Sequence, residues 1–201
     1  MIKNVIIDLS HWNQSVDFKL AKEDGIVGVI HKATQGKNYI DPEYANRRRA
    51  AEEEGLMCGA YHFGTGEDGK DQAEHFLEAV GDSSKVLLAL DIEENSGNNI
   101  TPKQAEDFVE KVHEVTGHLP LIYGSPYFLK DFATPILTKC PLWVARWLVR
   151  PILPKGWKDW TLWQYTDGQI GLKPHSVEGI GRCDRNKFKG TLKKLKKFWL
   201  S

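Results

Sequence analysis

The chain has no cysteines spaced to suggest a bridge or a metal clip. Its three, Cys58, Cys140 and Cys183, are odd in number, far apart and without a CxxC pair. That argues against a disulfide framework and a zinc site, and leaves buried, unpaired thiols as the expectation. No apolar run reaches the roughly 18 residues that a membrane span requires. The opening MIKNVIIDLS runs straight into a strand-like stretch without the architecture of a signal peptide. The expectation is a protein made in a host cytoplasm and released onto the cell wall, or secreted by a non-classical route. Net charge is missing too, since 27 basic and 27 acidic residues cancel. A general attraction for nucleic acid is thereby excluded.

Tryptophan, by contrast, is abundant: seven in 201 residues. Aromatic platforms for stacking sugars are one use for such an excess. The charge is also unevenly spread. Arg185, Lys187, Lys189, Lys193, Lys194, Lys196 and Lys197 stand in the last 17 residues with no acid among them, leaving the remainder net negative.

The stretch Lys85 to Asn95, KVLLALDIEEN, is an unbroken apolar run ending in three carboxylates. Such a run reads as a strand buried on both faces, as in a helix-covered parallel sheet. Side chains alternate along a strand, so Asp91 and Glu93 point one way and Glu94 the other. Two carboxyls in one small space push one proton affinity up, giving a proton donor beside an anion.

Around this strand the chain alternates strands and helices. Strand-like runs cover Asn4–Leu9, Gly28–Thr34, Leu56–Phe63, Lys85–Glu93, Leu119–Tyr123, Leu142–Trp147, Thr161–Thr166 and Arg182–Phe188. Helices are expected from Val16 to Asp24, from an Asp41-Pro42 cap to Gly55, from an Asp71/Glu74 capping box to Gly81, and from Thr101-Pro102 to Gly117. The alternation decays in the second half, where RPILPKGWKDW has no helical period. The expected fold is α/β: a single-domain, irregular (β/α) barrel resembling a TIM barrel, with about eight strands and fewer helices, built from parallel βαβ units. A doubly wound open sheet is the second possibility, weakened by the absence of GxGxxG after the first strand. The barrel is assigned to residues 1–190. Residues 191–201 form a basic amphipathic helix that closes the barrel, with its lysines available to anionic envelope polymers or lipids.

In such barrels the active site lies at the C-terminal ends of the strands. Asp8, Asp91, Glu93 and Asp184 all fall at expected strand ends, and closure makes the first and last strands neighbours. Four carboxylates would then converge on one mouth. Acid clusters of this kind suit a hard metal ion or glycoside hydrolysis. Tyr61, Tyr123, Trp143, Trp147, Trp163 and Tyr165 on the same strands favour sugar. His31 and His62 are read as hydrogen-bonded strand residues.

At these residues the chain resembles glycoside hydrolase family 25, the N-acetylmuramidase lysozymes. The resemblance runs from Asp8-Leu9-Ser10 and His11-Trp12-Asn13 through Lys32-Ala33-Thr34, Gly36 and Gly59-Ala60-Tyr61-His62-Phe63. It continues with Asp91-Ile92-Glu93, Leu142-Trp143-Val144-Ala145-Arg146, Trp163-Gln164-Tyr165-Thr166, and Asp184 with Asn186 and Phe188. It implies an irregular β/α barrel that cleaves the β-1,4 bond between N-acetylmuramic acid and N-acetylglucosamine in bacterial peptidoglycan. It also implies Glu93 as general acid, Asp91 orienting that acid or the substrate acetamido group, and Asp8 and Asp184 holding sugar and stabilising positive charge. Tyr61, Tyr123, Trp143, Arg146, Trp163 and Gln164 are assigned to substrate contacts. No cofactor or metal is expected, and the protein is expected to be a monomer, in the setting of a phage endolysin. A chitinase-like hydrolase and a silent sugar-binding module are the alternatives. Gln35 stands where the family usually has Glu, which implies altered substrate contacts with the chemistry retained.

Overall fold

A computed structural model describes residues 5–200. The elements are β1 (Val5–Leu9), α1 (Phe18–Glu23), β2 (Ile26–Gln35), β3 (Tyr39–Ile40), α2 (Tyr44–Glu53), β4 (Met57–Phe63), α3 (Gly69–Val80), β5 (Leu87–Asp91), α4 (Pro102–Thr116), β6 (Leu121–Gly124), β7 (Leu142–Ala145), β8 (Leu162–Thr166), β9 (Ser176–Val177), β10 (Gly181–Arg182), β11 (Asp184–Phe188) and α5 (Leu192–Trp199). Eight strands close a barrel in the order β1-β11-β8-β7-β6-β5-β4-β2, with β2 pairing back onto β1 and β3 appended to β2.

The seven strands from β1 to β8 that belong to the barrel run parallel, but β11 is antiparallel to both β1 and β8. An all-parallel barrel is therefore corrected at its last strand. Parallel neighbours need a long crossover, usually a helix. Between β8 and β11 the chain instead makes a polar loop and the small β9–β10 hairpin, which brings it back in the opposite direction.

Helix ends follow local chemistry, with two corrections. The Thr101–Gln104 capping box, Pro102 and the left-handed Gly117 bound α4 as expected. The cap of α3 is Asp68, which accepts from the Lys70 and Asp71 amides, and not Asp71 itself. Asp41 does not cap α2, which starts after Glu43. The Asp41 carboxylate instead takes the His11 amide at 3.0 Å and His11 Nδ1 at 2.8 Å, pinning the loop after β1.

Strand alternation divides the core in two. Ile6, Ile30, Ala89, Leu121, Trp143 and Leu162 fill the barrel; Ala60, Leu88, Leu90, Ile122 and Val144 face out, under Phe76, Phe108 and Val112 of α3 and α4. His62 is on this outer side, bonded to Thr34 Oγ1 and Gln72 Oε1 and stacked on Phe108; burial lowers its pKa to about 3. His31 is likewise buried on the outer side, against Arg47 and Tyr44. The three cysteines are buried and free, their thiols pushed up to about 12 chiefly by burial. Helix α5 plugs the N-terminal end of the barrel. Leu195 and Trp199 join the interior cluster, and the Trp199 indole donates to Cys58 O at 2.7 Å.

Candidate active site

The mouth at the C-terminal strand ends is assembled by pairing register. Asp8 on β1 sits directly opposite Asp184 on β11, so their side chains leave the same face of the ladder as near neighbours. Phe63 of β4 pairs with Asp91 at the end of β5, and Asp91 with Tyr123 of β6. Ile92 keeps the strand phase by donating its amide to Tyr123 O, which returns Glu93 to the inward side; Glu94 is exposed. A small cavity is lined by Asp8, Tyr61, Asp91, Glu93, Tyr123, Trp143 and Asp184. A larger hollow of about 600 Å³ lies at the opposite end, beside Trp199 and Leu200, and contains none of the four acids.

Four carboxyls in one buried space cannot all ionise. Asp8 receives Gln164 Nε2 at 3.1 and 3.2 Å and Asn186 Nδ2 at 2.6 Å. Asp184 also donates to it, and these donors oppose the upward push of burial. Asp184 is the proton holder of this pair, pushed up to about 9 by burial and then by the charge of Asp8. Burial first and Glu93 second drive Asp91 well above the ordinary aspartate range. Glu93 is raised by burial and then by Asp8, against a downward pull from the Tyr123 hydroxyl and Lys32. All four carboxyls are thus raised, and Asp184, pushed up to about 9, keeps its proton at neutral pH beside Asp8, whose amide donors oppose the shift, an acid next to a group better able to ionise.

The expected substrate residues divide. Tyr61, Tyr123 and Trp143 line the cavity; the Trp143 indole donates to Asn186 Oδ1 at 2.7 Å, so its ring forms a fixed wall. Gln164 is only 1% exposed. Its Oε1 accepts from Tyr123 OH and Trp147 Nε1, both at 2.9 Å, while its Nε2 holds Asp8. The indole N–H can only donate, which fixes the orientation of the amide. With every polar atom engaged, Gln164 positions Asp8 and Trp147 and has nothing left for sugar. Trp163 is not brought to the mouth. Because Gln164 points in, its neighbour points out, and the Trp163 ring packs against Trp160 and Tyr165 with its indole on Arg146 O. Arg146 follows β7 at the rim, its Nε buried without a partner.

Sequence reasoning missed Lys32 as a site residue. The charge of Lys32 acts on both Asp91 and Glu93. Exposed aromatics at the rim were also missed as a group: Trp12 after β1, Tyr39 after β2 and Tyr127 after β6. Trp12 and Tyr127 stand in turns and Tyr39 in the two-residue β3, where no strand or helix period marks them. Among the described residues no group of His, Cys, Asp or Glu side chains is placed to hold a metal ion.

Known proteins share the fold and much of the sequence. The family model described as Glycosyl hydrolases family 25 matches residues 7–171. Lysozyme M1 of Streptomyces globisporus is 32% identical, over 94% of this chain and 69% of its own. The crystal structure of the bacterial lysozyme from Streptomyces coelicolor superposes with a TM-score of 0.84 at 30% identity, covering 98% of this chain and 97% of that one. The family GH25 lysozyme from Aspergillus fumigatus gives 0.83 at 30% identity, covering 98% and 99%.

Proposed function

Because the chain belongs to glycosyl hydrolases family 25, we propose that its acid mouth cleaves peptidoglycan with Glu93 as the general acid. The protein is a glycoside hydrolase of the lysozyme type, and peptidoglycan is its substrate. The observation that carries the assignment of Glu93 is its half-buried carboxyl, at which burial and then Asp8 disfavour loss of the proton, in one cavity with the Asp8 carboxyl that Gln164 and Asn186 hold.

Glu93 delivers its proton to the glycosidic oxygen of the bond between N-acetylmuramic acid and N-acetylglucosamine. The proton is available because burial and Asp8 disfavour its loss. Once the proton has gone, the nearby Tyr123 hydroxyl and the charge of Lys32 favour the new Glu93 anion. The anionic charge on Asp8 faces the oxocarbenium character that develops on the sugar, and Gln164, Asn186 and Asp184 keep Asp8 in place. Asp91 Oδ1 is buried without a partner, a costly state for a polar atom that a bound acetamido group would relieve. Arg146 Nε is a second such atom at the rim. Tyr61, Tyr123 and Trp143 wall the reacting sugar, and the exposed rings of Trp12 and Tyr127 stack units further along the glycan.

The purified protein should clear suspensions of bacterial peptidoglycan with release of reducing ends and leave chitin oligosaccharides intact. Chitin cleavage at a comparable rate would favour the chitinase-like alternative, and no cleavage of either would leave a binding module. The exposed lysines of α5, Lys193, Lys194, Lys196 and Lys197, are proposed to assist adsorption to anionic envelope polymers. Changing all four to Glu should weaken wall binding several-fold at low salt and little at high salt; unchanged low-salt binding would refute the adsorption role. The phage setting rests partly on residues 1–4, which lie outside the described ones.

A further inference from the structure

Lys32 and Gln35 are three residues apart on β2, so in a regular strand they would face opposite sides. The register between β2 and β4 skips one residue: Lys32 pairs with Tyr61, Thr34 with His62 and Gln35 with Phe63. The extra residue, Ala33, is a bulge that shifts the side-chain phase. Thr34 therefore turns outward to His62, while Lys32 and Gln35 both turn inward and meet. Lys32 Nζ donates to Gln35 Oε1 at 2.6 Å and lies over the rings of Phe63 and Tyr39, at 4.9 and 5.6 Å from their centroids. The residue is only 9% exposed, and among the described residues no carboxylate pairs with it at ion-pair distance. Because Phe63 pairs with Asp91 on the next strand, this cage holds the ammonium on the side of the mouth where the two acids stand.

We propose that the bulge, the ring cage and the neutral Gln35 amide hold the Lys32 ammonium without a directly paired carboxylate, so that its charge sets the alkaline limit of activity by favouring the anions of Glu93 and Asp91. The inference rests on Glu93 being the acid. An amide oxygen fixes the ammonium without cancelling its charge, whereas a carboxylate at the same place would cancel it. The groups facing Glu93 are Asp8 from β1, Lys32 from β2, Tyr61 from β4, Asp91 from β5, Tyr123 from β6 and Asp184 from β11. Those facing Lys32 are Asp91, Asp41 and Glu93, with His62 behind the strand. Lys32 is thus a positioning residue that acts through other groups.

The test is the pH profile of kcat/KM on purified peptidoglycan for the unmodified protein, Gln35→Glu, Gln35→Met and Lys32→Met. The alkaline limb reports the essential acid of the free enzyme. Gln35→Glu should move that limb up by about half to one pH unit, since cancelling a nearby cation raises a carboxyl's proton affinity. Lys32→Met should move it at least as far, and Gln35→Met should leave it in place. A limb unmoved by Gln35→Glu in an active enzyme overturns the inference while leaving Glu93 as the acid. A limb moved equally by Gln35→Met also overturns it, because the lost hydrogen bond would then be the cause. If Lys32→Met does not fold, the two Gln35 variants decide alone. A Glu93→Gln protein as active as the unmodified one would remove the underlying reading and this inference with it.

Discussion

Glu93→Gln should give a folded protein that releases almost nothing from peptidoglycan. The amide keeps the size of the carboxyl, but it cannot give up a proton to the glycosidic oxygen. Removing a positioned general acid costs about two to four powers of ten in kcat, or about 3–5 kcal/mol of barrier. The missing interaction is made in the transition state, so kcat should fall while KM barely moves. Stability should hold or rise slightly, because a neutral group replaces a carboxyl that burial and Asp8 already disfavour as an anion. Turnover measured beside a thermal melt separates lost chemistry from lost fold.

Asp184→Asn should do something different: raise the melting temperature at neutral and alkaline pH. In the unfolded chain the carboxyl titrates near 3.9, whereas in the folded protein it is pushed up to about 9. Between those values the folded state keeps a proton that the unfolded state releases, so stability falls as pH rises across that window. Below it both states are protonated and the group contributes nothing. Asparagine cannot ionise and still offers an N–H to Asp8. The expected gain at pH 8 is about 1–3 kcal/mol, or about 3–10 °C, fading towards pH 4. Asp8→Asn should act oppositely. It would set an amide where Gln164 Nε2 and Asn186 Nδ2 already donate, losing both stability and more activity than Asp184→Asn. Melting curves at pH 4, 6 and 8 check the sign, and a flat difference across them would mean that Asp184 is not the proton holder.

The barrel and its acids were legible in the sequence because both leave one-dimensional signals. Buried strands give apolar runs, and an acid ending such a run marks the mouth; Asp8 and Asp91 were found in this way, with Glu93 two residues beyond Asp91, whereas Asp184 opens the polar β11 and was placed by barrel closure and the family resemblance. The direction of β11 was not legible, since a five-residue strand has no polarity in its composition and only the helix-free connection before it hinted at a reversal. The outward placement of Trp163 was not legible because strand position alone does not say which face is inward; Gln164, fixed on Asp8, decides that. Lys32 was hidden for a subtler reason. The bulge at Ala33 is a property of the pairing with β4, so the meeting of Lys32 with Gln35 cannot be read from spacing, which predicts opposite faces.

The most direct test of the account is mass spectrometry of the muropeptides that the unmodified protein and Glu93→Gln release from purified peptidoglycan. Fragments with reducing ends on muramic acid should appear from the unmodified protein and almost none from the variant. Reducing ends on glucosamine, or undiminished release by Glu93→Gln, would contradict this expectation.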